Sequence, residues 1–275
     1  MKIELLSGAC GAEVKGINLK DTSSSNIEII KNLLFEHKVI FFRNQTISQQ
    51  EQINLSKCFG PLETHAYTKG LQEFPEIVRI IKEPHEKNNW GEGWHTDTSY
   101  NKQPTLAVIL KSIEIPPVGG DTMFSNMELA YDTLNDDLKK KIENKKALHD
   151  SRGAEFFNEN YQSMESNGYK EAFSNIHPIV RTNPDSKRKI LYVNWTYTRQ
   201  IIGMEKEESD KLLNILFKHQ ERLDLTCRFR WTPNTIAIWD NRSLLHYAIA
   251  DYFPQRGLGY KRIMDRIAVR GEIPN

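Results

Sequence analysis

The chain has 275 residues, of which 39% are hydrophobic and 27% charged, and 37 Lys and Arg against 36 Asp and Glu give a formal net charge of +1. This balance argues against nucleic acid or an anionic membrane as partner, since both call for a surplus of basic residues on one face. No apolar run approaches the roughly 20 residues of a membrane span, and Glu4 interrupts any signal core at the start, so a cytoplasmic protein is expected.

The length accommodates one large β-rich domain. With no linker-like composition and no repeat, one domain over 1–275 is expected. Cys10, Cys58 and Cys227 are odd in number and widely spaced, which suits free buried thiols better than a disulfide framework.

In chain order, residues 26–35 have apolar side chains at helical spacing, and 39–42 read as a buried strand. A second helix is expected over 48–59, where Ser48 and Glu51 fit a capping box and Gly60 with Pro61 supplies the stop. Short β-branched and aromatic runs then recur at 77–81, 105–110, 122–125, 179–182, 190–194, 227–231, 235–240 and 260–269. Helices are expected over 127–144 and 205–220. The polar stretch 155–175 reads as an excursion or lid within about 151–176. Many strands, few helices and no βαβ alternation predict an antiparallel sandwich or barrel flanked by helices.

Eight histidines must be sorted. His37, His85 and His219 lie at helix ends or in charged loops and read as surface groups, while His149 and His177 border the polar stretch and could at most support a site. His95 differs, because Asp97 follows it by two residues and side chains two apart on an extended chain face the same side. His246, in an aromatic-flanked segment after the strand at 235–238, is the candidate third ligand. Two imidazoles and one carboxylate with the opposite positions open form the facial arrangement of non-haem Fe(II) oxygenases. A structural zinc site would instead be closed by four protein ligands.

Arg262 and Arg266 are four apart, so on a strand they share a face, with roots roughly 13 Å apart. That spacing suits a small dicarboxylate, and the guanidinium is the group best shaped to grip a carboxylate through two parallel hydrogen bonds.

These residues resemble the taurine dioxygenase-like family of Fe(II)- and 2-oxoglutarate-dependent oxygenases, which includes aryloxyalkanoate and alkylsulfate dioxygenases. The similarity runs from Gly8 to Val14, through Phe59, Gly60, Pro61 and Leu62, to the segment from Arg262 to Arg266. Its most specific passages are Trp94, His95, Thr96 and Asp97; Pro117 to Thr122; and Trp239, Asp240, Asn241 and Arg242 leading to His246.

The resemblance implies a double-stranded β-helix, or jelly roll, mainly β with flanking helices, whose mouth holds Fe(II) through His95, Asp97 and His246. It implies that 2-oxoglutarate chelates the metal, with its far carboxylate on Arg262 and Thr122 and with Arg266 near the keto-acid end and the primary substrate. The family chemistry uses O2 to convert 2-oxoglutarate to succinate and carbon dioxide while an unactivated C–H bond is oxidised. Related halogenases replace the carboxylate ligand with a small residue; Asp97 is present, so hydroxylation is expected. Relatives are commonly dimers or tetramers, so a homo-oligomer is expected.

Departures from the pattern bear on the substrate. Taurine-specific members carry asparagine four residues before the first iron histidine, where this chain has Gly91, and an aromatic residue after the pair matching His149 and Asp150, where it has Ser151. His65 falls near a sulfonate-binding histidine, and Tyr197 matches a substrate-facing aromatic. Tyr67 and Thr98 are further candidates for the substrate wall, and 257–260 looks like an insertion entering the last strand. A small anionic substrate, sulfonate, sulfate ester or carboxylate, is expected, and not taurine itself. Two other readings of the same residues are a non-catalytic jelly roll that binds a metal or small molecule and a zinc hydrolase, neither of which calls for the arginine pair.

Overall fold

The computed structural model describes residues 1–87, 90–152, 165–169 and 171–275. The segment Val39–Phe42 shows how the sequence builds its core: all four residues are buried, and they divide between two faces. Ile40 and Phe42 pack with Ile30, Leu34 and Leu55 of the covering helices. Val39 and Phe41 pack inward with Phe124, Phe229 and Trp239. The same alternation holds in Ile236–Asp240 and Thr105–Glu114, where Ile238 and Ile109 face the helices while Trp239 and Val108 face the interior. A strand buried on both faces reads as continuously apolar, which is why these segments stand out in the sequence.

These strands belong to an eight-stranded sheet whose main path is Lys2–Leu5, Ala12–Lys15, Val39–Phe42, Ile236–Asp240, Thr105–Glu114, Arg262–Arg270 and Leu62–Glu63, with Val78–Lys82 also paired to Arg262–Arg270. Facing it across the inner core is a three-stranded sheet of Thr226–Phe229, Thr122–Asn126 and Leu244–Ala248. A second three-stranded sheet, Thr198–Ile201, Lys146–Asp150 and Ser174–Pro178, and the pair Val180–Thr182 and Lys189–Leu191 complete the β structure of the described residues. Two facing, mainly antiparallel layers with flanking helices make the expected jelly roll.

The helix Gln49–Lys57 begins with the predicted capping box: Ser48 Oγ accepts from the Glu51 amide at 3.2 Å, and the Glu51 carboxylate accepts from the Ser48 amide at 2.7 Å. The helix Lys206–Gln220 buries Leu212, Leu213 and Leu216 against Ala147, Ile190 and Ile201. The single helix expected over 127–144 is instead two, Met127–Asp132 and Asp136–Ile142. Asn135 divides them, because its side chain accepts from the Leu138 amide at 2.8 Å and so starts a new helix in mid-segment.

Seven strands were not expected: Lys2–Leu5, Ala12–Lys15, Leu62–Glu63, Lys146–Asp150, Ser174–Pro178, Thr198–Ile201 and Leu244–Ala248. All are short and most mix polar with apolar residues. The end of the expected excursion, residues 174–175, belongs to the strand Ser174–Pro178, and Ser166 bridges to Thr68. Residues 153–164 and 170, which carry most of the predicted lid, lie outside the described residues. Among the described residues no helix is long and apolar enough to cross a membrane.

Phe41 stacks on Phe229 with ring centroids 3.7 Å apart and is fully buried. Truncation to alanine is expected to cost about 3–5 kcal/mol of stability, read from the shift of a chemical denaturation curve.

Candidate active site

The two candidate histidines come from distant parts of the chain and meet through their backbones. His246 donates its amide to the His95 carbonyl at 2.8 Å, and His95 donates to the His246 carbonyl at 3.2 Å. Residues opposed in this way project to the same side, and the imidazole centroids lie 4.1 Å apart. Asp97 Oδ1 lies 3.5 Å from His95 Nε2 and 3.8 Å from His246 Nε2. All three side chains are buried, and one ligand atom from each falls within 4.8 Å of the others.

Local structure fixes each donor. His95 Nδ1 lies 2.8 Å from the Gly93 carbonyl, so that nitrogen carries the proton and Nε2 offers its lone pair. Asp97 is held by its backbone: its amide donates to Asn241 Oδ1 at 2.9 Å, and Asn241 Nδ2 donates to the Asp97 carbonyl at 3.1 Å. Thr98 follows at φ 53°, an unfavourable conformation for a β-branched residue. Its hydroxyl accepts from the Thr105 amide at 2.9 Å and lies 2.8 Å from the Thr105 hydroxyl, which in turn donates to Glu63. These contacts hold the strained turn that aims Asp97.

The carboxylate of Asp97 divides its work. Oδ1 faces the imidazoles while Oδ2 accepts from Arg266 Nη2 at 2.9 Å. Burial raises the pKa of this carboxyl, but Arg266, His246 and His95 outweigh it and hold the group well below the usual carboxylate range. Burial and the neighbouring His95 push His246 down to about 3, so it is neutral at physiological pH. A buried carboxylate flanked by two imidazoles is the donor set a divalent cation requires.

Two cavities meet at this cluster, and Trp90, Gly91 and His95 line both. The first continues to Thr122, Leu110, Arg262 and Arg266. The Thr122 hydroxyl accepts from Trp231 Nε1 at 2.9 Å, which leaves its own hydrogen to donate. Arg262 is buried with Nε lacking a hydrogen-bond partner among the described residues. A cavity that ends in the buried Arg262 guanidinium and a free hydroxyl donor fits the far carboxylate of 2-oxoglutarate.

The second cavity is walled by His65, Tyr67, Thr98, Tyr100 and Tyr197. His65 Nδ1 accepts from the Tyr67 and Thr68 amides at 3.3 and 3.1 Å, so its proton sits on Nε2 as a donor. Burial and the charge of Arg266 lower His65 to about 4. Tyr67 turns its hydroxyl to Ser151 and the Glu171 carbonyl, and the hydroxyl of Thr98 is already engaged, so these two residues shape the wall more than they offer polar contacts. Gly91, at φ 89°, brings only backbone to the cavity.

Every sequence-level site candidate therefore lies at one cavity or the other. His149 and His177 brace the segment after Asp97, through the Ser99 hydroxyl at 3.0 Å and the Asn101 carbonyl at 2.9 Å. Sequence reasoning missed Trp90, Tyr100 and Trp231 and gave no role to Asn241; the aromatic density around 90–100 was the available signal for the first two. Replacing Asn241 with alanine is expected to weaken metal binding by about 10–100-fold, measured by competition with a chromogenic chelator.

A jelly roll carrying two histidines and an aspartate at its mouth, with open space on two sides, defines the class of non-haem iron oxygenases. Residues 2–267 match the family described as taurine catabolism dioxygenase TauD, TfdA family. The chain is 32% identical to a putative alpha-ketoglutarate-dependent sulfonate dioxygenase of Schizosaccharomyces pombe, over 99% of this chain and 70% of that one. It is 30% identical to an alpha-ketoglutarate-dependent sulfate ester dioxygenase of Pseudomonas putida, over 100% of this chain and 91% of the other. The crystal structure of a putative alpha-ketoglutarate-dependent taurine dioxygenase from Burkholderia xenovorans superimposes with a TM-score of 0.84 at 29% identity, covering 99% of this chain and 93% of that one. The chain belongs to the TauD, TfdA family and is a 2-oxoglutarate-dependent dioxygenase, an enzyme class that uses Fe(II) and O2.

Proposed function

We propose that the enzyme hydroxylates an unactivated C–H bond of a small anionic substrate, a sulfonate, sulfate ester or carboxylate, with release of succinate and carbon dioxide. The observation that carries this reading is the meeting of two cavities at His95, Asp97 and His246, one ending in cationic and hydroxyl donors and the other in an aromatic wall with one imidazole N–H.

In this reading His95, Asp97 and His246 hold Fe(II), which when bound supplies the centre where O2 and 2-oxoglutarate react. Arg262 and Thr122 receive the far carboxylate of 2-oxoglutarate. Arg266 holds Asp97 in its ionised form and lies toward the keto-acid end and the substrate. His65 Nε2–H donates to the anionic group of the substrate, while Tyr67, Thr98, Tyr100 and Tyr197 exclude water around its carbon chain. Taurine is disfavoured because Gly91 offers no side chain to an amine.

Anaerobic addition of Fe(II) and 2-oxoglutarate is expected to give a visible charge-transfer band. A screen of sulfonates, sulfate esters and carboxylates should then reveal substrate-stimulated, oxygen-dependent succinate formation. Saturable turnover of taurine comparable to the best alternative would sink the exclusion of taurine, and absence of stimulation by any of the three classes would sink the substrate reading.

A further inference from the structure

The first cavity has an unassigned cation beside it. In the pairing of Val78–Lys82 with Arg262–Arg270, Lys82 stands directly opposite Arg262. Such residues project to the same face with Cβ atoms about 4.5–5.5 Å apart. Both are almost fully buried, at 4% and 5% exposure. Among the described residues neither forms an ion pair, and Lys82 Nζ and Arg262 Nε have no hydrogen-bond partner.

Lys82 lies over the ring of Tyr252, 4.3 Å from its centre. Tyr252 and Arg262 in turn pack together against Gly120. Burial lowers the pKa of Lys82, and Glu86 and Glu92 oppose this only through longer-range attraction. Like charges directly across a strand pair oppose folding, and burying them unpaired is costly. An anion shared between them removes both penalties. Ile80, two residues before Lys82 on the same face, already lines the cavity that ends at Arg262 and Thr122.

We propose that Lys82 is a second cationic group for the distal carboxylate of 2-oxoglutarate, acting beside Arg262. The proposal rests on the reading of the first cavity as the cosubstrate site. Lys82 supplies charge behind the carboxylate end, with its ammonium over the Tyr252 ring.

The test compares two 2-oxo acids of the same chain length, 2-oxoglutarate and 2-oxopentanoate, which lacks the second carboxylate. Binding to the anaerobic Fe(II)-loaded protein is followed through the charge-transfer band. Lys82→Met keeps the apolar stem and removes the charge, and Lys82→Arg restores a cation. The expected result is that Lys82→Met binds 2-oxoglutarate about tenfold or more weakly, leaves 2-oxopentanoate within about twofold, and that Lys82→Arg recovers most of the loss. Should Lys82→Met fold poorly, Lys82→Gln takes its place in the same comparison. Equal loss for both acids, or loss for neither, would overturn the proposal while leaving the cosubstrate site intact. Failure of the unaltered protein to bind 2-oxoglutarate at all would overturn the site reading together with the proposal.

Discussion

Asp97→Ala is expected to abolish oxygen-dependent succinate formation and to lower metal affinity by more than about 100-fold, beyond what loss of an outer partner costs a metal site. The substitution removes the only carboxylate of the cluster and with it the charge that attracts a divalent cation. It has a second effect, on stability. Arg266 donates to Asp97 Oδ2 and is buried, so alanine leaves a cation inside the protein with only the longer-range attraction of Glu63, and breaking a buried pair typically costs about 3–5 kcal/mol. Asp97→Asn separates the two effects, since its carbonyl oxygen still accepts from Arg266 while the ligand charge is gone. The asparagine variant should melt closer to the unaltered protein yet remain inactive. Metal titration and thermal denaturation of both variants check this, and an Asp97→Ala protein that still forms succinate would refute the ligand assignment.

Arg262→Ala is expected to raise the 2-oxoglutarate requirement with a smaller change in the maximal rate. Removing one partner of a buried, hydrogen-bonded charge pair costs about 2–5 kcal/mol, which corresponds to roughly 30- to 4,000-fold in affinity. The effect should sit in the KM for 2-oxoglutarate, because Arg262 lies at the end of the first cavity defined by Thr122 and away from His65 and the tyrosine wall of the second. Steady-state kinetics with 2-oxoglutarate varied at saturating substrate provide the measurement. A change confined to the KM of the primary substrate would place Arg262 in the other cavity.

What the sequence carried plainly was whatever depends on local pattern. Val39–Phe42, buried on both faces, announces itself as an unbroken apolar run, and the Ser48 and Glu51 capping box fixes a helix start to the residue. The strands that escaped notice draw their stability from partners elsewhere. Lys146–Asp150 lies between Thr198–Ile201 and Ser174–Pro178, a pairing that nothing within five residues encodes. The break at Asn135 was missed because helical periodicity continues across it, while one side-chain cap decides the outcome.

The site divides in the same manner. His95 and Asp97 were legible from spacing, and the arginine pair from sharing a strand face. The resemblance added Thr122 and the substrate candidates. Contacts that aim these groups were not legible, because they join distant segments: Asn241 to the backbone of Asp97, Trp231 to Thr122, and Lys82 beside Arg262.

A single backbone bridge to His246 joins His95 to the strand Leu244–Ala248. Among the described residues the main chain fastens these segments there through the two hydrogen bonds of the bridge and one from the Ala248 amide to the Gly91 carbonyl, so an ion held by both imidazoles would act as a rivet between them. Occupancy should then be felt as mechanical closure as well as chemistry: binding the native state alone adds stability that grows with the logarithm of metal concentration over its dissociation constant. Stripping the protein with a chelator should lower its melting temperature and quicken proteolysis near residues 90–95, and an equal cleavage rate with and without Fe(II) would show that the bridge needs no such reinforcement.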